Sequence, residues 1–129
     1  MAANAGRKIL IIDDSELCLQ MERSILGRAG FDVRTAATLH AFDVLLHEWL
    51  PDIVLTDVKM PELDGAELCR YVRRHMKAGH IPVVLFSVLP DPELKRLADR
   101  CGADGFVSKH NGLHKLVERI EELWGSILW

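Results

Sequence analysis

Five short apolar runs alternate with five stretches of helical period along this chain, and no other feature restricts its fold so strongly. The runs cover residues 8–12, 31–36, 53–56, 81–86 and 105–108, and they are rich enough in Ile, Val and Leu to read as buried strands. Between them, residues 15–29 carry Leu17, Met21, Ile25 and Leu26 on an expected inner face, stopped by Gly30. Thr38 caps a second helix to about Trp49, with Leu39, Phe42, Leu45 and Leu46 facing inward and Pro51 ending it. Asp64-Gly65 opens a third helix to about His75, Asp91 between Pro90 and Pro92 caps a fourth through Arg100, and Leu113 starts a fifth to about Leu123. Strand and helix in strict alternation predict an α/β protein whose parallel sheet is covered on both faces. A chain of 129 residues accommodates this as one domain over residues 1–129, with residues 1–6 expected to be flexible.

In an open sheet of this kind, ligands bind beyond the carboxyl ends of the strands. Asp13 and Asp14 follow the first run and Asp57 follows the third, so the three carboxylates are expected in one crevice. Three like charges held together raise one another's pKa unless a cation neutralises them, and a hard divalent ion with oxygen ligands, Mg²⁺, meets that need. Ser87 follows the fourth strand and Lys109 the fifth. A metal, an ammonium and a hydroxyl donor are what a carboxylate nucleophile needs around a phosphoryl adduct. Asp57 stands alone on its strand and is the expected nucleophile, whereas Asp13 and Asp14 are paired, as metal ligands often are. Helix capping alone would account for acidic residues after strands, but not for their coincidence with Ser87 and Lys109.

Composition narrows the rest. The formal net charge is -3 at pH 7, with no basic stripe for a phosphate backbone, so direct nucleic-acid binding is not expected. No run approaches the roughly 18 apolar residues of a membrane span, and the expectation is a cytoplasmic protein without membrane contact. Three cysteines, Cys18, Cys69 and Cys101, form no CxxC pair and read as core residues in a reducing compartment. His110 and His114 have helical ligand spacing but no third partner, so surface positions are expected. Trp124 and Trp129 are expected to pack near the last helix.

With these residues in place, the chain resembles the receiver domains of two-component response regulators, a group that includes single-domain chemotaxis regulators. The resemblance rests on Asp13-Asp14, on Asp57 followed by Met60-Pro61 and Asp64-Gly65, on Ser87, and on Phe106-Val107-Ser108-Lys109. It implies a flavodoxin-like sheet in order 2-1-3-4-5 with five helices. It also implies Asp57 as phosphoacceptor, Asp14 and Asp57 as direct Mg²⁺ ligands, Asp13 acting through water, and the Lys59 carbonyl completing the set. Lys109 and Ser87 would hold phosphoryl oxygens, and Ser87 with Phe106 would switch the surface of the fourth helix, fifth strand and fifth helix. The implied partners are a histidine kinase or histidine phosphotransfer protein and a downstream protein target, with a homodimer through the switching surface as a further form.

Two departures from the family pattern stand out. Most members have proline after the lysine, but His110 follows Lys109, and a cis bond to a non-proline residue costs about 2.5–4 kcal/mol. Val88 and Lys59 flank the expected pocket and should alter the phosphoryl lifetime, in a direction the sequence leaves open. Two alternatives follow: a receiver-like interaction module that works without phosphorylation, and a haloacid-dehalogenase-like phosphohydrolase. The second wants Asp-x-Asp after the first strand, which Asp13-Asp14-Ser15 does not supply. A flavodoxin is poorer still, because no phosphate-binding loop follows Ile12.

Overall fold

Strict strand and helix alternation produces a doubly wound sheet. The computed structural model describes residues 4–58, 65–75 and 81–127. Its elements run β1 (Lys8–Ile12), α1 (Glu16–Arg28), β2 (Asp32–Ala36), α2 (Leu39–Glu48), β3 (Ile53–Thr56), α3 (Gly65–His75), β4 (Val83–Ser87), α4 (Asp91–Cys101), β5 (Gly105–Ser108) and α5 (Leu113–Ile127), with a single 3-10 turn at Lys109–Asn111. The five strands pair in parallel in the order β2-β1-β3-β4-β5, the expected flavodoxin-like arrangement.

Side chains alternate across each strand, and the alternation feeds two separate cores. Leu10, Ile12, Val54, Val83 and Leu85 face Phe42, Leu46, Leu68, Val72 and Leu94, which come from α2, α3 and α4. Ile9, Ile11, Ile53, Leu55, Val84 and Phe86 face Leu19, Leu26, Leu116, Ile120 and Trp124, from α1 and α5. Trp124 packs as expected: its ring lies 5.8 Å from that of Phe31 and under the Arg7 guanidinium at 4.9 Å. Trp129 lies outside the described residues.

The helix α1 departs from expectation. Its buried residues are Leu19, Glu22 and Leu26, while Leu17 and Met21 are exposed and Ile25 is only partly buried. The spacing of three and four residues is helical, but one member of the inner face is a glutamate, and a reading that seeks only apolar residues rotates the face toward Leu17 and Met21. Smaller shifts have local causes. Phe31 precedes β2 because its N–H donates to Leu26 O at the end of α1, and β4 starts after Pro82, which has no N–H for the ladder. Pro90, not Asp91, takes the cap position of α4, which leaves Asp91 in the first turn without a side-chain cap. The helix α5 runs four residues further than expected, to Ile127.

The rotated face of α1 makes a contrast that thermal denaturation can read. Leu26→Ala should cost about 2–5 kcal/mol, whereas Leu17→Ala should stay within about 0.5 kcal/mol of the parent. Comparable losses would place Leu17 in the core after all.

Candidate functional site

The ladder carries the acidic residues one step past the strands. Asp57 N–H donates to Ile12 O at 3.2 Å, and Asp13 N–H donates to Ala36 O at 3.2 Å, so the sheet itself sets where both side chains start. One carboxylate oxygen from each of Asp13, Asp14 and Asp57 lies within 4.8 Å of the others, and the expected acidic crevice is present. The three differ in exposure: Asp13 is buried, Asp57 half-buried and Asp14 exposed. An all-oxygen set of three carboxylates fits a hard divalent cation.

Lys109 closes the crevice from β5. Its ammonium is 3.3 Å from Asp13 Oδ2 and 3.7 Å from Asp57 Oδ2. Burial pulls its pKa down, but the charges of Asp57, Asp13 and Glu22 outweigh that, and the net shift is upward. The Lys109-His110 peptide is not cis, as no peptide bond among the described residues is. The chain instead enters the 3-10 turn, with His110 N–H donating to Ser108 Oγ at 3.3 Å. A capped turn thus follows Lys109 in place of a cis peptide.

Asp57 Oδ1 accepts the Val58 N–H at 2.7 Å. Ser87 is buried at the end of β4, and its Oγ accepts the Leu89 N–H at 3.3 Å, while Ser108 Oγ donates to Leu89 O at 3.0 Å. Two serines therefore tie down the loop between β4 and α4. Phe106 is partly buried against the α2–α4 core and lines a cavity of about 250 Å³ with Asp91, Ser108 and Lys115. Val88 is exposed. Lys59, Met60, Pro61 and Asp64 lie outside the described residues, so the expected Lys59 carbonyl ligand is not placed. His110 and His114 are both exposed and join no ligand group among the described residues.

Gly65 matters for a steric reason. A Cβ there would lie 2.6 Å from Asp57 O, and the Gly65 N–H donates to Val58 O at 2.6 Å. The helix α3 is thereby seated directly on the backbone of Asp57.

Two residues of the site escaped sequence reasoning. Glu22 is only 2% exposed; burial and then the Asp13 carboxylate push it up to about 8, against the pull of Lys109. Cys18 is half-buried beside it, a correction to the expectation that all three cysteines belong to the core. Cys69 and Cys101 are buried as expected, free and adjacent, and burial pushes the Cys69 thiol up to about 12. The signal available for Glu22 was its place in the Leu19, Glu22, Leu26 spacing.

A flavodoxin-like sheet that gathers three carboxylates and an ammonium at one crevice defines a small α/β protein suited to a hard cation and a phosphoryl anion. Comparison with known proteins gives the family. Residues 9–121 match the profile of the response regulator receiver domain, and the chain belongs to that family. It is 32% identical over 123 residues to the transcriptional regulatory protein GltR of Pseudomonas aeruginosa, covering 95% of this chain and 50% of that one, so it spans about half of that relative's length. It is 28% identical to the polar-differentiation response regulator DivK of Brucella ovis, covering 93% of this chain and 98% of that one. Among solved structures, the chemotaxis protein CheY4 of Vibrio cholerae superposes with a TM-score of 0.83 at 28% identity, over 92% of this chain and 99% of that one. Receiver domains generally hold Mg²⁺ at such a pocket and interact with histidine kinases and downstream targets. Nothing supports the phosphohydrolase or flavodoxin alternatives. Among the described residues, no helix is long and apolar enough to cross a membrane.

Two outcomes follow from this geometry. Gly65→Ala should lower the melting temperature and slow any reaction at Asp57, because the new methyl meets a backbone carbonyl with nowhere to move; a variant indistinguishable from the parent in both would disprove the contact. Glu22 gives a pH dependence. Folded, it keeps its proton to about pH 8; unfolded, it releases it near its ordinary value of 4.5. Between these values the folded state binds the extra proton, so stability falls as pH rises through the window. Glu22→Gln removes that slope. In chelator-containing buffer its melting temperature should gain on the parent between about pH 5 and pH 8, and an equal offset at both ends would mean that Glu22 is ionised when folded.

Proposed function

We propose that the chain is a phosphorylation-controlled signalling receiver of the cytoplasm, with Asp57 as the phosphoacceptor. The observation that carries the reading is the Lys109 ammonium poised between Asp57 Oδ2 and Asp13 Oδ2 above a cluster of three carboxylates. A carboxylate oxygen of Asp57 attacks the phosphorus of a phosphohistidine in a histidine kinase or phosphotransfer protein. The P–N bond breaks, its electron pair goes to the imidazole nitrogen, and an aspartyl phosphate is left. Bound at Asp13, Asp14 and Asp57, Mg²⁺ would neutralise charge on the phosphoryl oxygens.

The chain's own groups do the rest. Lys109 stays charged, its pKa held up by the carboxylates, and its ammonium is within reach of a phosphoryl oxygen on Asp57. Val58 N–H holds the other Asp57 oxygen and fixes the carboxylate plane. Ser87 is the second donor once its hydroxyl turns from the loop to the phosphoryl group. That exchange frees the Leu89 N–H, moves the loop, and makes room for Phe106 to turn inward. The altered surface of α4, β5 and α5 then meets the downstream target, or a second copy of the chain.

Incubation with a small phosphodonor, followed by intact mass, tests this directly. The parent should gain one phosphoryl group only with Mg²⁺, Asp57→Ala should gain none, and Lys109→Ala should react on the order of 10²-fold more slowly. Folded parent protein that stays unmodified beside an active control would favour the interaction module that needs no phosphorylation.

A further inference from the structure

Cys18 and Glu22 sit four residues apart on α1, so their side chains reach the same side of the helix. That side meets the floor of the acidic crevice: the Cys18 Sγ, a Glu22 carboxylate oxygen and an Asp13 carboxylate oxygen all lie within 4.8 Å of one another. Glu22 is 2% exposed, yet among the described residues no hydrogen bond reaches its carboxyl. The carboxyl faces a cavity of about 190 Å³ that it shares with Cys18, Phe86 and Lys109. No fully buried side-chain oxygen among the described residues lacks a partner, so the Glu22 carboxyl keeps its access through this cavity, and a cation or water reaches it from there.

We infer that Asp13, Cys18 and Glu22 form a second cation site, for a borderline divalent ion of the Zn²⁺ class. A thiolate with two carboxylates gives three protein ligands, and the cavity leaves a fourth position to water. The thiolate is the discriminating donor: Mg²⁺ demands oxygen ligands, whereas Zn²⁺ accepts sulfur and oxygen together. Tetrahedral coordination sets ligand atoms about 3.5 Å apart, which side-chain rotation of Glu22 and Cys18 supplies from the observed grouping. Binding displaces the thiol proton and the Glu22 proton to solvent, so charge balances as the ion enters. Lys109 neutralises this corner when no ion is bound. Because it also stands 3.7 Å from Asp57 Oδ2, it can release Asp13 without losing its other partner.

Asp13 belongs to both sites. A thiophilic ion at Cys18 and Glu22 therefore withdraws a carboxylate from the Mg²⁺ crevice, and the two ions compete. The inference itself stands on the geometry of α1 and β1 and does not require that Asp57 be phosphorylated.

Titration of the full chain with Co²⁺, a spectroscopic stand-in for Zn²⁺, tests it. The parent should show a thiolate-to-cobalt charge-transfer band that Zn²⁺ removes by competition. Cys18→Ser and Cys18→Ala should abolish the band, Glu22→Gln should weaken binding at least about tenfold, and Asp57→Asn should keep both band and affinity. Circular dichroism on each variant confirms that it is folded. The inference is overturned if the parent has no band, if the band survives both Cys18 substitutions, or if binding is lost in Asp57→Asn and kept in Glu22→Gln. The last result would put the ion in the Mg²⁺ crevice.

Discussion

Repulsion among carboxylates crowded at one edge of the sheet is the constraint around which this molecule is arranged. Two unit charges about 4 Å apart interact by roughly 4 kcal/mol at an effective dielectric near 20, and here three acidic groups and a buried glutamate share one corner. The fold answers with position and with charge. Asp13 and Asp57 cannot drift apart, because their own amides extend the ladder of the central strands. Lys109 supplies the opposite charge from the far side of β4, and Glu22 avoids adding to the repulsion by holding its proton. A site that is strained electrostatically is thus ready to welcome a cation and, behind it, a phosphoryl group.

Rigidity beneath the site and adaptability beside it come from different parts of the chain. The strands under Asp13 and Asp57 have both faces buried, in two cores on opposite faces of the sheet. The β4–α4 loop is held more lightly, by two serine hydroxyls on a single residue, Leu89. Each such bond has a net worth of about 1 kcal/mol, comparable with what a phosphoryl oxygen offers the same hydroxyl. Exchange of partners there is consequently a small energetic step, which is what a switch needs.

Much of this was legible in the sequence. The strands β1, β3 and β5 were placed to the residue, because apolar runs bounded by Asp, Ser or Lys leave little choice. Asp13, Asp14, Asp57 and Lys109 were brought to one crevice by topology alone. Less visible was the inner face of α1, since pattern reading assigns glutamate to solvent, whereas Glu22 is buried beside Asp13 and Lys109. Cys18 was missed with it. The trans peptide after Lys109 follows from His110 lacking the ring that makes a cis bond affordable in relatives, but the 3-10 turn there depends on Ser108, which carried no signal of its own.

The division into two cores has a consequence for how such a chain tolerates change in length. In β1, Ile9 and Ile11 serve one core while Leu10 and Ile12 serve the other. One residue added or removed within that strand would exchange the two sets and would also move Asp13 off the sheet edge. Substitution can wander through these strands as long as bulk is kept, whereas insertions and deletions are confined to the connections, away from the carboxyl edge. The spacing between Lys8 and Asp13 is in this sense a ruler, and the chemistry of the crevice is calibrated to it.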